Sequence, residues 1–470
     1  MTSHAEANIP TIIRQHLVQQ SIPHALGPNR PTLERTEVCL LSDDKGIVQV
    51  FTTSNSIVEI EKVRALTRQS LKPMSQTEIA RLKRKLNITT FPAFDDLFSA
   101  LTIIDKALYN TDRIFVNSGS SEHLIALKSA TDMKRKKETL IADVATAIPV
   151  DDLNYELSLF DYDRTEINTA VTKFTALRIR QRLEETLEIP PLPDTVQAII
   201  RLRVDPDANI EKLSSIVERD PSLAAQVVSW ASSSYYSAPG SIKSVQDAIV
   251  RVLGFDLVMN LALGLSLGKS LDLPRQKEGE TPYWNIAVYV AATVGALVSA
   301  IPREFRPSFG LSYLAGLLHN FGYLILAHAF KPHFATTSQM IELNPHIERH
   351  HVEKLVLGIT RDQIASNLMN SWSLPNEVTL GIRYQSDPTY LGEACDQAHL
   401  IYLASHMLEK YGMLPATHQH FNPVVLENLN IKMEDIDTVM SQLKNNQQEL
   451  DMIASALTLE ELGNRTENFL

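Results

Sequence analysis

Hydrophobic and polar positions follow two different patterns along the chain, and the change lies near residue 150. Before it, the β-rich runs Glu37–Leu41 and Ile47–Thr52 flank a turn at Asp43–Gly46, which is typical of a β-hairpin. After Pro190 the apolar residues recur at helical spacing, as in Val245–Leu253. The pattern predicts a multidomain protein, with an N-terminal α/β domain followed by an all-α region.

Helices and strands alternate within the first region. The spacing predicts helices over Thr11–Gln20, Ile57–Thr67 and Gln76–Leu86, and further strands over Arg113–Asn117 and Leu124–Lys128. Blocks of opposite charge between residues 131 and 165 are typical of a solvated linker. We therefore divide the chain into a domain at 1–132, a linker and helix at 133–188, a helical domain at 189–392, and C-terminal helices at 393–470 that pack on it.

Two apolar segments approach the length of a membrane span. Ile286–Ile301 has about 16 apolar or small residues, which is short of the ~20 needed. Leu311–Phe330 reads as one long helix, but it carries His319 and Asn320, which are costly in lipid. We expect both segments to be buried core helices and expect no membrane partner.

Composition narrows the cellular setting. The 470 residues carry a net charge of −11, which disfavours non-specific nucleic-acid binding by the protein as a whole. The two cysteines, Cys39 and Cys395, lack metal-ligand spacing and imply no disulfide framework, as expected in a reducing cytosol. The first residues show no signal-peptide pattern, so we predict a cytoplasmic protein.

Two groups of histidines are candidates for metal chemistry. His319 is followed by Asn320, whereas a metal-dependent phosphohydrolase of the HD type needs His followed by Asp, and an amide is a poor substitute for a carboxylate. His346 and His350 would share a helix face, with His351 beside them, but the ligand set is incomplete. We expect a satisfied core histidine at 319 and a solvated helix end at 346–351.

The central region, about 190–390, resembles the HDOD family, a helical output domain related to HD phosphohydrolases. The resemblance depends on an ordered series of motifs: Pro190–Pro193, Leu213–Leu223 with Arg219-Asp220-Pro221, Trp230–Tyr236, Ile242–Gly254, Ala315–Gly322, Trp372–Pro375 and Ile382–Tyr384. The resemblance implies a non-catalytic role in bacterial signalling.

Positions aligned with the metal ligands of HD enzymes have lost their donor groups. They hold Ile286, Asn320, Arg361, Gln385 with Ser386, and Ser405, so that His319 alone remains, although His406 adjoins Ser405. HD enzymes need several His and Asp side chains around one or two cations. We therefore predict no metal, no cofactor and no catalytic residue. His319, Asn320, Arg361 and Gln385 mark a degenerate site, which we interpret as a cleft for a ligand or partner.

The N-terminal region, about 8–132, resembles the YbaK-like aminoacyl-tRNA deacylases. The resemblance depends on the opening helix, the hairpin and the runs Ile103–Leu108 and Ile114–Asp132. That family uses a lysine in its first strands and glycines in a substrate loop. Thr36–Leu41 contains no lysine and Ile88–Phe94 no glycine, so we predict a degenerate relative that binds something or acts as a scaffold.

These observations predict a non-catalytic, cytoplasmic regulatory protein that binds a protein partner or a small ligand. Two alternatives remain open. One is deacylase activity in the N-terminal domain, for which tRNA would be the partner. The other is a metal-dependent phosphohydrolase acting on nucleotides or cyclic dinucleotides.

Overall fold

The computed structural model describes residues 9–29, 34–134, 136–148, 160–174, 191–236, 240–271, 273–274, 281–415 and 421–467. Its contacts separate two units. The first comprises residues 1–157, 335–356 and 417–420, and the second comprises residues 158–334, 357–416 and 421–470. The first unit contains a mixed α/β sheet and the second is helical, in agreement with the predicted two-part architecture.

The predicted hairpin around Asp43 forms, and it lies at the centre of the sheet. Strands β2 (Thr36–Asp43) and β3 (Gly46–Thr53) pair in antiparallel register from Thr36–Thr53 to Asp43–Gly46. The strands are β1 (His24–Pro28), β2 (Thr36–Asp43), β3 (Gly46–Thr53), β4 (Ser56–Val58), β5 (Lys72–Pro73), β6 (Leu101–Asp105), β7 (Ile114–Asn117), β8 (His123–Leu127), β9 (Leu140–Ala142) and β10 (Ala145–Ala147). Their order is β1-β8-β7-β2-β3-β6-β9, with β5 beside β2, while β4 and β10 form a separate pair.

Helices make up the rest of the regular structure. They are α1 (Thr11–Gln19), α2 (Ile60–Thr67), α3 (Gln76–Leu86), α4 (Lys106–Tyr109), α5 (Phe160–Phe174), α6 (Asp194–Arg203), α7 (Ile210–Glu218), α8 (Pro221–Ser232), α9 (Val245–Ala248), α10 (Phe255–Gly268), α11 (Tyr283–Ala300), α12 (Phe309–Leu318), α13 (Phe321–Ala329), α14 (Lys331–Leu343), α15 (Arg349–Leu357), α16 (Arg361–Ser371), α17 (Asn376–Arg383), α18 (Cys395–Lys410), α19 (Val424–Asn428), α20 (Met433–Asn445) and α21 (Gln447–Glu467). Short 3₁₀ turns lie at Ala130–Met133, Ser234–Tyr236 and Arg303–Phe305, and a π-helical turn at Ile249–Leu253 follows α9.

Each face of the sheet has its own core, because successive side chains of a strand point to opposite faces. Leu40 and Phe51 belong to the cluster that contains α1, whereas Cys39 and Val50 belong to the cluster that contains α2. The second cluster also contains residues from α14, α15 and the turn between them, namely Met340, Leu343, Ile347 and Val352. A segment from the helical part of the sequence therefore completes the core of the α/β unit.

Asn344 fixes this segment to the edge of β4. Its Nδ2 donates to the carbonyl oxygens of Val58 (3.0 Å) and Met340 (2.8 Å), and its Oδ1 accepts from the amide of Val58 at 2.7 Å. The side chain thus satisfies both backbone groups of Val58, as a neighbouring strand would.

The histidines of the same segment contradict the predicted solvated helix end. His346 Nε2 donates to the carbonyl oxygen of Ser56 at 3.0 Å, and its Nδ1 lies 3.9 Å from the Cys39 sulfur. Burial lowers the pKa of His346, and His350 is buried. The prediction failed because these residues belong to a contact with a strand almost 300 positions earlier.

The linker prediction is also partly wrong. Residues 140–142 and 145–147 form strands, with β9 parallel to β6 and β10 antiparallel to β4. Their three-residue lengths are too short for alternation to be recognised. Residues 149–159 and 175–188 of the predicted linker and helix lie outside the described residues, whereas α5 falls within them. The predicted helix over Ile57–Thr67 begins as β4 and becomes helical at Ile60.

In the helical unit, polar side chains cap the starts of two helices. The Asp220 carboxylate accepts from the amides of Ser222 and Leu223 at the start of α8, and the Ser244 hydroxyl accepts from the amide of Asp247 at the start of α9. The helices after residue 393 pack on α11, where Asn285 Nδ2 donates to Asp451 of α21 at 2.9 Å.

The long apolar helix predicted over Leu311–Phe330 is broken. α12 ends at Leu318 and α13 begins at Phe321, because Asn320 (φ −105°, ψ 17°) leaves the helical region. By length and composition, Tyr283–Ala300 and the stretch Phe309–Ala329 would suit a membrane span, but most of each is buried within the protein. Such burial is typical of the core helices of soluble proteins.

Replacing Asn344 with Ala should destabilise the α/β unit by about 2–4 kcal/mol, because both backbone groups of Val58 lose a buried partner. Urea unfolding followed by a probe in this unit measures the change. The control is Gln339→Ala, which removes one half-buried hydrogen bond from Arg64 and should cost less than about 1 kcal/mol. Equal effects of the two substitutions would contradict the role assigned to Asn344.

His346 should make the same unit sensitive to acid. Since its pKa is lowered from 6.5 by folding, the unfolded chain binds more protons at lower pH, and the free energy of unfolding falls as the pH drops below 6.5. The loss is at most about 1.4 kcal/mol per pH unit. Unfolding of the wild type and of His346→Gln at pH 7.5 and 5.5 isolates this contribution, because the other histidines are common to both. A stability difference between the two proteins that does not change with pH would refute it.

Candidate functional site

His319 lies at the break between α12 and α13 and is buried, as expected. Its Nδ1 is 2.7 Å from the carbonyl oxygen of Gly316 one turn earlier. Because a carbonyl can only accept, Nδ1 donates, which fixes the orientation of the ring. His319 thus keeps the form of a metal-ligating histidine, and the question is which groups surround it.

Arg361 supplies the group that faces Asn320. Its Nη1 donates to Asn320 Oδ1 at 3.0 Å, and its guanidinium carbon lies 5.4 Å from the centre of the Tyr323 ring. Gly322 permits this approach, because a β-carbon there would lie 2.1 Å from the Arg361 carbonyl oxygen. The first turn of α16 and the first turn of α13 are therefore in direct contact.

Gln385 connects the other side of the site. Its Nε2 donates to the His319 carbonyl oxygen and to Asp362 Oδ1, both at 2.8 Å. The Ser386 hydroxyl donates to the second oxygen of the same carboxylate at 3.0 Å. Asp362 is buried, and it is a member of the site that sequence reasoning missed, although its position next to Arg361 was a signal.

The structure thus brings all four predicted positions together, through direct hydrogen bonds between His319, Asn320, Arg361, Gln385 and the added Asp362. Of the other aligned positions, Ile286 lies on α11 and Ser405 on α18. His406, which adjoins Ser405, directs Nδ1 to the Tyr402 carbonyl oxygen of its own helix at 2.8 Å.

These residues do not fit a divalent cation. The position of the required carboxylate holds an amide, and that amide oxygen already accepts from a permanent cation. Within the described parts of the chain, no three His, Cys, Asp or Glu side chains converge in a way that could hold a metal. A guanidinium beside the amide would also repel an arriving cation.

Asn320→Asp should therefore not create a metal site. The new carboxylate would pair with Arg361 and raise the free energy of unfolding by about 1 kcal/mol, because a carboxylate accepts a stronger hydrogen bond from a guanidinium than an amide does. Being paired with Arg361, it would retain no metal. Combining Asn320→Asp with Arg361→His removes the cation and supplies a further donor, so the double variant should retain Mn²⁺ or Fe²⁺. Elemental analysis after purification, and melting temperature with and without Mn²⁺, measure both outcomes. Stoichiometric metal in the single variant would contradict the effect assigned to Arg361.

Comparison with known proteins places these features in a family. The family model described as "HDOD domain" matches residues 189–388. A crystal structure of a "Putative signal transduction protein" from Marinobacter aquaeolei VT8 is 37% identical with a TM-score of 0.86, and the alignment covers 96% of this chain and 100% of that one. A "Putative phosphohydrolase" from Shewanella amazonensis SB2B is 20% identical with a TM-score of 0.47, over 58% of this chain and 97% of that one.

A curated relative is named only as an uncharacterized protein of Treponema pallidum (strain Nichols). It is 23% identical over 278 residues, which are 59% of this chain and 48% of the relative. The chain therefore spans about half the length of the curated relative it matches. The family match at 189–388 and the 37% identity over the whole Marinobacter chain lead to one conclusion. The chain belongs to the HDOD domain family, with its HDOD domain at residues 189–388.

Proposed function

We propose that this protein is a non-catalytic, cytoplasmic regulator of bacterial signal transduction that binds a protein partner or a small ligand through its HDOD domain. The observation that carries the proposal is the hydrogen bond from Arg361 to Asn320. It puts a fixed positive charge where a hydrolase of the HD type would need a metal-bound carboxylate. The name of the Marinobacter relative agrees with a signalling role.

The chemistry of the site supports recognition over turnover. A metal-dependent hydrolase needs a cation that lowers the pKa of a bound water, and an arginine has neither the coordination sites nor the charge density for this step. The polar groups around His319 instead satisfy one another, since Gln385 connects a backbone carbonyl to the Asp362 carboxylate. Such a network holds the residues around His319 in defined positions, which favours selective binding.

For the N-terminal unit we propose a degenerate YbaK-like module that serves as a scaffold or binding surface. Strand β2 (Thr36–Asp43) contains no lysine. At its start, Arg35 and Glu37 form an ion pair of 2.5 Å. Without an ammonium group directed at an ester carbonyl, deacylation loses its main polar assistance.

The test combines activity and binding on the full chain. Protein loaded with Mn²⁺ or Fe²⁺ is assayed for hydrolysis of nucleotides and cyclic dinucleotides, and separately for amino-acid release from mischarged tRNA. We expect no turnover above buffer. Hydrolysis that requires metal and is lost in His319→Ala, or stoichiometric deacylation at high protein concentration, would refute the non-catalytic proposal.

The binding arm uses cross-linking in the source cell, followed by a dissociation constant for the purified pair. We expect Arg361→Ala to weaken binding at least tenfold, which corresponds to about 1.4 kcal/mol. The control is Arg219→Ala, because Arg219 is an exposed arginine on the same domain. Equal affinities of the two variants would show that the site around His319 is not the binding site.

A further inference from the structure

Helix α5 lies on the helical unit through a buried stripe that contains one charged residue. Asp163, Ile167, Ala170 and Val171 are buried at helical spacing. α5 precedes the family match, which begins at residue 189. The helix is therefore an addition to the HDOD domain, and its carboxylate is buried against that domain.

Arg383, at the end of α17, donates to both oxygens of the Asp163 carboxylate. Its Nη2 donates to Asp163 Oδ1 at 2.9 Å, and its Nε donates to Oδ2 of the same residue. Both side chains are almost completely inaccessible to solvent. A bidentate arginine–carboxylate pair of this kind carries geometric specificity as well as energy.

Gln363 extends the contact to a second carboxylate. Its Nε2 donates to Asp163 Oδ1 at 2.8 Å and to Glu166 Oε2 at 2.6 Å. Its Oε1 accepts from the amide of Thr360, whose hydroxyl accepts from the amide of Gln363, so the side chain is fixed by a capping box at the first turn of α16. The positive end of the α16 dipole adds to the preference for negative groups here.

The HDOD domain thus presents fixed donors, and α5 supplies two carboxylates three residues apart on one helix face. Buried ion pairs seldom stabilise a fold more than apolar residues would, and their best-attested role is to fix the register or the state of a contact. An aspartate buried in a helix contact that is otherwise apolar therefore favours recognition of one particular helix over hydrophobic packing alone.

We propose that Arg383 and Gln363 form a carboxylate-recognition site, called here the Arg383–Gln363 site, which α5 fills from within the same chain. The ligand class is an acidic helical peptide with carboxylates three residues apart, and it competes with α5 for the site. Because α5 is covalently attached, its effective concentration is in the millimolar range, so a competitor binds well only when the contact of α5 is weakened. The inference does not depend on the proposed function, since neither Arg383 nor Gln363 is among the positions aligned with metal ligands.

The test uses a fluorescent peptide of residues 160–174 and the full chain. We expect the peptide to bind Asp163→Asn protein at least tenfold more tightly than wild type, because the internal competitor is weakened. A peptide carrying Asp163→Asn should bind the same protein at least tenfold more weakly than the wild-type peptide. Adding Arg383→Gln to the Asp163→Asn protein should abolish the difference between the two peptides.

Thr165→Ala protein is the matched control, because Thr165 is exposed on the same helix. It should bind the peptide no better than wild type. Hydrogen exchange reports whether α5 is released. Faster exchange over residues 160–174 in Asp163→Asn protein without peptide binding, or equal binding of both peptides, would overturn the proposal.

A second measurement applies if Asp163→Asn does not fold. Millimolar wild-type peptide should then accelerate exchange over residues 160–174 of the wild-type protein, whereas the Asp163→Asn peptide should not. The same exchange rate with both peptides would overturn the proposal independently of any variant.

Discussion

The α/β unit depends on how the second face of its sheet is covered. Four apolar residues of 335–356, namely Met340, Leu343, Ile347 and Val352, belong to the core on that face. Burying each contributes about 1.5–3 kcal/mol, so the segment supplies roughly 6–12 kcal/mol before entropy is subtracted. The sheet and this segment therefore form one folding unit, although nearly 200 residues separate β10 from the segment.

Because of this arrangement, the range matched by the HDOD family differs from the range of the helical unit. The family match runs without interruption through residues 335–356, whereas the contacts assign that segment to the α/β unit. Cutting the chain at residue 189 would leave Asn344 without Val58 and would expose one face of the sheet. The same interdependence appears in the helical unit, where Asp163 of α5 precedes the matched range and is bound by Arg383 inside it. Each unit thus relies on a residue that a boundary drawn from sequence would remove.

Local signals in the sequence were sufficient for much of the fold. The hairpin at Asp43 was predicted because its turn depends on adjacent residues, and the caps at Asp220 and Ser244 are equally local, since each bond spans two or three positions. The break at Asn320 was missed, because the side chain that engages it, Arg361, is 41 positions away. The helix was extended through this point because the residues that flank His319 and Asn320 are mostly apolar.

The candidate site shows the same division between local and distant information. Alignment with the HD pattern selected His319, Asn320, Arg361 and Gln385, and the structure connects them by hydrogen bonds. It could not select Asp163, whose partners lie 200 and 220 positions later. Charge complementarity over such separations leaves no periodicity or spacing in the sequence, so it becomes visible only when both helices are placed.

The position of Arg361 beside Asn320 has a physical consequence for the proposed function. A metal site changes state with cation supply and with the protonation of its ligands, whereas a guanidinium is charged at every physiological pH. Arg361 therefore keeps the electrostatics next to His319 constant. Under the proposed function, a change of state at this site would come from a ligand or partner that binds one conformation better than another, since a ligand shifts an equilibrium only by its differential affinity. That requirement favours a site that discriminates between alternative occupants. Arg383 and Gln363 meet it through their fixed geometry. A carboxylate in the wrong position would leave the buried guanidinium of Arg383 unpaired.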